Sequence, residues 1–453
     1  MPSPLLTRRK FLASMAAAGT LAACKAIPQT NPAPGLPNVI LILADDLGYD
    51  NVGVQGATDL LTPNLDSIAN TGVRFTDGYV TCPVCSPSRA ALLTGRYQQS
   101  FGFEFGPPTS DMVTPPNFGL PLQEKTLADY LHSLGYKTGL VGKWHLGVSP
   151  QFRPLRRGFD EFFGFLMGSR SYYQKTADKR NPLWNNDRTV QDPNYLTDIF
   201  GQRAASFVER YSDQPFFLYL PFNAVHSPPD PPPQKYLDRF SHISSPTRKV
   251  FAAMLGAMDD AIGRILSTLQ RLNIDDNTML IFLSDNGGTA LAGRAPHRTV
   301  RGGKGSLEEG AIRIPFMMRW PRRIPAGLVY RQPVSSIDIL PTILSAAAAR
   351  IPPDRDGVDL LPFLDHPQQS RPHDALYWKY GPPSAIRQSD WKLISPSPQA
   401  PPMLFNLADD QMETNDLTER EPQKRDALLA LLTKWKSRLP PPLTPQYGPR
   451  NGK

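Results

Sequence analysis

The apolar positions along the chain fall into short unbroken runs that alternate with longer stretches of helical spacing. Asn38–Ala44 (NVILILA) is apolar up to a pair of aspartates, the pattern of a strand buried on both faces. Similar runs predict strands over Val73–Thr81, Lys137–His145, Phe216–Phe222, Thr278–Ser284 and Ile314–Arg319. Between them the spacing predicts helices over Thr62–Asn70, Ser88–Leu93 behind Pro87, Leu127–Leu134, Tyr195–Tyr211, Arg248–Leu272 and Ile337–Ala349. Such alternation implies an α/β fold with a large, mostly parallel sheet sandwiched by helices. From about Leu360 the pattern changes to short candidate strands (ALYWKY, SAIRQ, WKLIS, PMLFNL) and one late helix, Asp426–Lys436. The expected division is therefore an α/β domain over 37–355, a smaller antiparallel α+β domain over 356–440, and a flexible tail over 441–453.

The first residues read differently. Arg8-Arg9-Lys10 opens an apolar run from Phe11 to Ala23, which at 13 residues is too short for a bilayer span of roughly 20. The run ends in Leu21-Ala22-Ala23-Cys24. This segment resembles a bacterial twin-arginine signal (1–23) joined to a lipoprotein cleavage box, followed by a Pro-rich tether over 24–36. The resemblance implies export by the twin-arginine translocase and a lipid on Cys24 as the only membrane contact. It also implies residence in the bacterial periplasm or cell envelope.

Composition narrows the classes further. With 20% charged and 40% hydrophobic residues the chain is neither disordered nor a polytopic membrane protein. Its 49 prolines cluster between apolar runs, which predicts long ordered loops, and 3 cysteines exclude a disulfide framework. The formal charge of +8 falls to +5 without Arg8, Arg9 and Lys10 and forms no stripe, so no nucleic-acid partner is expected.

Candidate chemistry collects at the carboxyl ends of predicted strands, where open α/β sheets bind ligands. Asp45-Asp46 closes the first strand and Asp285-Asn286-Gly287-Gly288 closes another. Either alone is a common turn; together they offer only oxygen ligands, suited to Ca²⁺ or Mg²⁺ and poor for zinc. Cys82-x-x-Cys85 could be a redox pair or half a zinc site, yet no second such pair exists.

The stretch Cys85-Ser86-Pro87-Ser88-Arg89, followed by Leu93-Thr94-Gly95-Arg96, resembles the signature of type I sulfatases, formylglycine-dependent members of the alkaline-phosphatase-like superfamily. Gly142-Lys143-Trp144-His145-Leu146-Gly147, His226-Ser227-Pro228-Pro229 and Gly302-Gly303-Lys304-Gly305-Ser306 are similar to that family's active-site segments, in its order. The resemblance runs from Pro37 to the Leu404–Leu417 region. It implies an arylsulfatase-like hydrolase acting on a sulfated carbohydrate or aryl sulfate. Cys85 would be converted to formylglycine (3-oxoalanine) by a formylglycine-generating enzyme. Asp45, Asp46, Asp285, Asn286 and residue 85 would hold one divalent metal, Ca²⁺ before Mg²⁺. In the family's mechanism one hydroxyl of the hydrated aldehyde attacks sulfur, with Asp285 as base. The second is then deprotonated, by His145, to expel sulfate. His226 is the implied acid or, with Lys304, a sulfate ligand; Arg89 would brace residue 85.

Lys143 and His145, two apart on the predicted strand, are expected to share a face and to reach residue 85 together. With a divalent metal, three carboxylates and the cations Arg89, Lys143 and Lys304 leave a formal surplus of +2, which suits a sulfate monoanion. Cys82 is expected to be buried and inert, and His132 an ordinary helical histidine. Long insertions at Phe101–Phe118, Phe152–Trp184 and His226–His242 are candidate substrate walls, with Arg170, Tyr172, Tyr173 and Trp184 either holding a sugar or packing loops. Two rivals remain: a formylglycine-dependent phosphonate or phosphodiester hydrolase, and a catalytically inactive glycan-binding lipoprotein. The second predicts a broken motif, and none is present.

Overall fold

The computed structural model describes residues 35–107, 118–173, 181–289, 299–368 and 371–443. The signal, Cys24, most of the tether and most of the tail lie outside the described residues. In chain order the first strands are β1 (Asn38–Ala44), β2 (Val73–Phe75), β3 (Gly78–Tyr79), β4 (Lys137–Lys143), β5 (Glu161–Phe165), β6 (Leu183–Asn185), β7 (Arg188–Val190) and β8 (Phe216–Pro221). Next come β9 (Thr278–Ser284), β10 (Phe316–Arg319), β11 (Leu328–Tyr330) and β12 (Val334–Ser335). The last four are β13 (Leu376–Lys379), β14 (Ser384–Gln388), β15 (Trp391–Ser395) and β16 (Met403–Asn406). The helices are α1 (Pro63–Asn70), α2 (Cys85–Thr94), α3 (Leu127–Ser133), α4 (Leu196–Arg210), α5 (Gln234–Arg239) and α6 (Pro246–Arg271). They continue with α7 (Glu309–Ile312), α8 (Ile339–Ala346), α9 (Leu361–Asp365) and α10 (Pro422–Lys436).

Ten strands form one sheet in the order β11-β2-β10-β9-β1-β8-β4-β5-β6-β7. Its centre, β9-β1-β8-β4-β5, is parallel throughout, and antiparallel pairs occur only toward the edges. The period-two geometry of β1 divides its side chains between the two faces. Val39, Leu41 and Leu43 join the core shared with α2, α3 and α8, while Ile40, Ile42 and Ala44 join the core shared with α1, α4 and α6. All of them are fully buried, and truncating one such aliphatic side chain to alanine costs about 2–5 kcal/mol. The second sheet is an antiparallel meander, β13-β14-β15-β16, on which α10 lays Leu428 and Leu432 against Ile386, Leu393 and Leu404. The expected architecture is thus present: a large, mostly parallel sheet between helices, with a small antiparallel sheet near the C-terminus.

Several boundaries differ from those read in the sequence. β4 stops at Lys143, and His145 lies beyond it with a left-handed backbone (φ 61°). Its neighbours still pair with the adjoining chain, Trp144 N donating to Phe165 O, but the reversal at His145 means that it and Lys143 do not share a strand face. The run Val73–Thr81 is broken between β2 and β3 by a turn at Thr76-Asp77. α2 begins at Cys85 rather than after Pro87, since proline fits the first turn of a helix, and α10 begins with Pro422 at its start for the same reason. β5 and the short α5 lie in segments read as insertions, and the hairpin β6–β7 begins at the end of the one read as Phe152–Trp184 and runs beyond it. Among the described residues no helix is long and apolar enough to cross a membrane.

Candidate active site

Four neighbouring strands deliver the charged residues to one end of the sheet. Ala44 and Ser284 are register partners in β1 and β9, so Asp45-Asp46 and Asp285-Asn286 emerge side by side. Lys143 closes β4, and His226 follows β8 on a loop stitched to β1: Asp45 N donates to Ala224 O at 2.9 Å and Val225 N to Asp45 O at 2.8 Å. Gly142 has a φ of 135°, and a Cβ there would lie 1.9 Å from Pro221 O, so only glycine lets β4 place Lys143 this close.

Cys85, the first residue of α2, points its thiol into this group. Sγ donates to Asp45 Oδ1 at 3.4 Å and lies 4.0 Å from Asp46 Oδ1, while Lys304 Nζ donates to Sγ at 3.1 Å. Lys304 also pairs with Asp46 at 2.7 Å. Its loop is pinned by Lys304 N to Gly288 O and Gly305 N to Pro83 O, both 3.0 Å. Lys143 Nζ donates to Asp45 Oδ2 at 2.5 Å. Arg89 bridges the strands: its guanidinium lies 2.7 Å from Asp285 and 3.3 Å from Asp45, and donates to Lys143 O at 3.0 Å. Arg89 thus contacts Asp45, Asp285 and the Lys143 carbonyl, the groups around residue 85, where the spacing implies a brace on residue 85 itself.

Burial and charge set the protonation states. Burial pushes the Cys85 thiol up to about 12, with Asp285 and Asp45 adding to the effect, so it is not a thiolate at neutral pH. Burial alone would raise Asp45, but Lys143, His226, Arg89 and Lys304 outweigh it and hold this carboxyl well below the usual range. Asp285 is raised, by burial first and then by Asp45, against the pull of Arg89. His145 is held well below the ordinary histidine value by burial and then by Lys143 and Arg89. Its Nε2 lies 3.3 Å from Pro107 O, which can only accept, so this ring nitrogen carries the proton. Buried Nδ1 then presents a bare lone pair without a partner among the described residues.

The oxygen donors at the site, the Asp45 and Asp46 carboxylates and the Asn286 amide, suit a hard divalent cation. Ligand atoms of Asp45, Asp46, Cys85 and His226 all lie within 4.8 Å of one another. Asn286 Nδ2 donates to Asp46 Oδ1 at 2.8 Å, which leaves its buried Oδ1 with no partner, an amide oxygen free for a metal. Asp285 uses Oδ1 to accept from Asp46 N at 3.2 Å and Oδ2 to accept from Arg89. His226, whose Nε2 is 3.7 Å from Asp46 Oδ2, therefore stands inside the carboxylate cluster, a position the motif alone does not reveal.

Other expectations resolve locally. Cys82 is fully buried and a free thiol, raised by burial, and His132 is a half-exposed helical residue 3.3 Å from Asp160. Tyr172 packs rather than facing a substrate: its hydroxyl donates toward Asn223 O and His226 O and its ring stacks on Tyr195. Tyr173 donates to Pro231 O, Arg170 to Asn181 O, and Trp184 lies under the Arg153 guanidinium. Three hydrogen bonds had no signal in the sequence: Ser86 Oγ donates to His145 O at 2.6 Å, and Asp230 accepts from Ser171 Oγ and Tyr172 N, tying the two loops around His226.

Comparisons with known proteins agree with this geometry. Residues 37–349 match the family described as Sulfatase, and residues 303–437 match N-sulphoglucosamine sulphohydrolase, C-terminal. N-acetylgalactosamine-6-sulfatase of Canis lupus familiaris is 37% identical over 73% of this chain, a match that spans 66% of that enzyme's length. Arylsulfatase J of Mus musculus is 33% identical over 91% of this chain and 79% of its own. The crystal structure of Ps i-CgsB in complex with k-i-k-neocarrahexaose superposes with a TM-score of 0.85 at 35% identity, covering 90% of this chain and 94% of that one. With the family profile and these relatives covering most of its length, the chain belongs to the type I sulfatases, sulfuric ester hydrolases of the alkaline-phosphatase-like superfamily.

Proposed function

We propose that this sulfatase removes sulfate from a sulfated carbohydrate, with residue 85 converted to formylglycine and one Ca²⁺ held by Asp45, Asp46, Asp285 and Asn286. The observation that carries the reading is the convergence of two buried carboxylates and the partly exposed Lys304 on the buried thiol of Cys85. A thiol raised to about 12 is a poor nucleophile, whereas a hydrated aldehyde at this point supplies one hydroxyl for attack on sulfur and another for release of sulfate. The cation would supply charge stabilisation for the sulfuryl oxygens.

The chain's own groups complete the chemistry. Lys143 and Arg89 hold Asp45 ionised, and Arg89 ties Asp285 to Asp45 near residue 85. Lys304 sets a positive charge on the open side of Sγ, where a sulfate oxygen would lie. Neutral His145 offers Nδ1 as a base, and His226, beside Asp46, is placed to give a proton to the leaving alcohol. The carbohydrate class is supported by a relative at 35% identity solved with a neocarrahexaose. Export and lipidation at Cys24 belong to the same proposal and rest on the N-terminal sequence, which also implies the translocase and the formylglycine-generating enzyme as partners.

The test compares purified, matured protein on an aryl sulfate, aryl phosphate and phosphonate esters, and defined sulfated oligosaccharides. Sulfate esters should be turned over at least about 10²-fold faster, and Cys85→Ala should lower kcat by about 10³-fold or more. The tryptic peptide Phe75–Arg89 should react with a hydrazide at position 85. Faster phosphonate or phosphodiester cleavage would select the rival hydrolase, and an ordinary thiol at 85 in fully active protein would overturn the mechanism.

A further inference from the structure

Phe105 and Tyr380, far apart in the sequence, meet beside the segment that borders the active site. Phe105 is half-buried and lies two residues before Pro107, whose carbonyl accepts from His145. Between them Gly106 runs against Ser86, so closely that a Cβ would come within 2.2 Å of the Ser86 Cβ. The 105–107 segment therefore borders both residue 85's helix and the candidate base. Tyr380, also half-buried, sits in the turn between β13 and β14, and its ring lies 5.5 Å from that of Phe105 at 53°.

The turn is clamped to the same segment. Lys379 Nζ donates to both oxygens of Glu104 at 2.6 Å, Gly381 N donates to Glu104 Oε1 at 2.6 Å, and Gln99 Nε2 donates to Lys379 O at 2.7 Å. Burial raises the Tyr380 hydroxyl to about 12, with Cys82 and Cys85 adding and Lys304 opposing, which places it within electrostatic reach of the nucleophile position. Two partly exposed aromatic rings held rigidly beside a charged pocket are what a sugar ring needs: an apolar face to stack on while its sulfate enters the polar end.

We infer that Phe105 and Tyr380 form the aromatic wall of the subsite that holds the sulfated sugar ring, so that the C-terminal sheet completes the active site. This rests on the proposed carbohydrate substrate. Tyr380→Ala and Phe105→Ala, made in the matured full-length protein, should raise KM for a sulfated oligosaccharide about tenfold. Inhibition by inorganic sulfate, which touches only the charged pocket, should stay within about twofold. Tyr380→Phe keeps the ring and should restore most of the affinity. Unchanged KM in folded alanine variants would overturn the inference, as would a parallel rise of KM and of the sulfate inhibition constant. A wild-type protein that cleaves aryl sulfate but no sulfated oligosaccharide would instead remove the substrate reading beneath it, a result visible without any variant.

Discussion

Asn286 is fully buried with one half of its amide satisfied: Nδ2 donates to Asp46 Oδ1 and to Gly287 O, while Oδ1 has no partner among the described residues. Leaving such an oxygen unpaired costs about 1–3 kcal/mol, a penalty that a bound cation would cancel. Asn286→Leu should therefore lower stoichiometric Ca²⁺ in the purified protein and shrink the rise in Tm that Ca²⁺ gives over chelator, by about half or more. Equal metal content and an equal thermal shift in wild type and variant would place the cation elsewhere. At this scale much of the site was legible, because Asp45-Asp46, Cys85-x-Pro-Ser-Arg89 and Asp285-Asn286 are each compact runs at strand ends. His226 inside the carboxylate cluster and the tautomer of His145 were not, since both depend on contacts between distant segments.

Elements with one dominant period were readable and those shaped by tertiary partners were not. β1 and β9 are unbroken apolar runs and appear at the residues expected. The end of β4 is set by the reversal at His145, and β6–β7 turn at Asn186, another left-handed residue, within a stretch whose short strands carry little pattern. The junction before α8 shows the same dependence. Asp338, fully buried, accepts from Ser335 N at 2.7 Å and Val358 N at 2.9 Å, and its carboxylate meets His373 Nε2 at 2.8 Å. Burial would lower His373, but Asp338, with Asp374, overcomes it and raises the imidazole above its ordinary value. A histidine raised in the folded state adds stability that is fully present below the unfolded value of about 6.5 and is lost as pH climbs through the higher folded value. The Tm advantage of wild type over His373→Gln should accordingly be largest near pH 5.5 and shrink by pH 8.5. A constant or growing advantage over that window would show that the pair is not held by charge.

The two sheets share one apolar cluster and also bury charges from both at their junction. Lys392 on β15 is fully buried and pairs with Glu309 at the start of α7 and with Glu413 beyond β16, each at 2.8 Å. Glu309 also accepts from the Tyr79 hydroxyl at 2.6 Å, and Arg387 on β14 reaches Asp77 at 2.6 Å. Trp378 Nε1 donates across the junction to Val80 O at 2.6 Å. Burial would raise Glu309, yet Lys392, Arg313 and Arg387 hold it below the usual range, while Glu413 is raised by burial in spite of Lys392. Removing the one cation these carboxylates share leaves buried like charges, so Lys392→Met should destabilise the protein by about 3–5 kcal/mol in denaturant unfolding. Neutralising a partner should recover part of this: Lys392→Met with Glu413→Gln should be more stable than Lys392→Met alone, the coupling expected of groups in contact. Because Glu309 follows the Lys304 loop closely and β13–β14 carry Tyr380, loosening this junction should also raise KM for substrate at temperatures where the protein remains folded. If Lys392→Met left the unfolding midpoint unchanged, the network would not be what fastens the C-terminal sheet to the catalytic one.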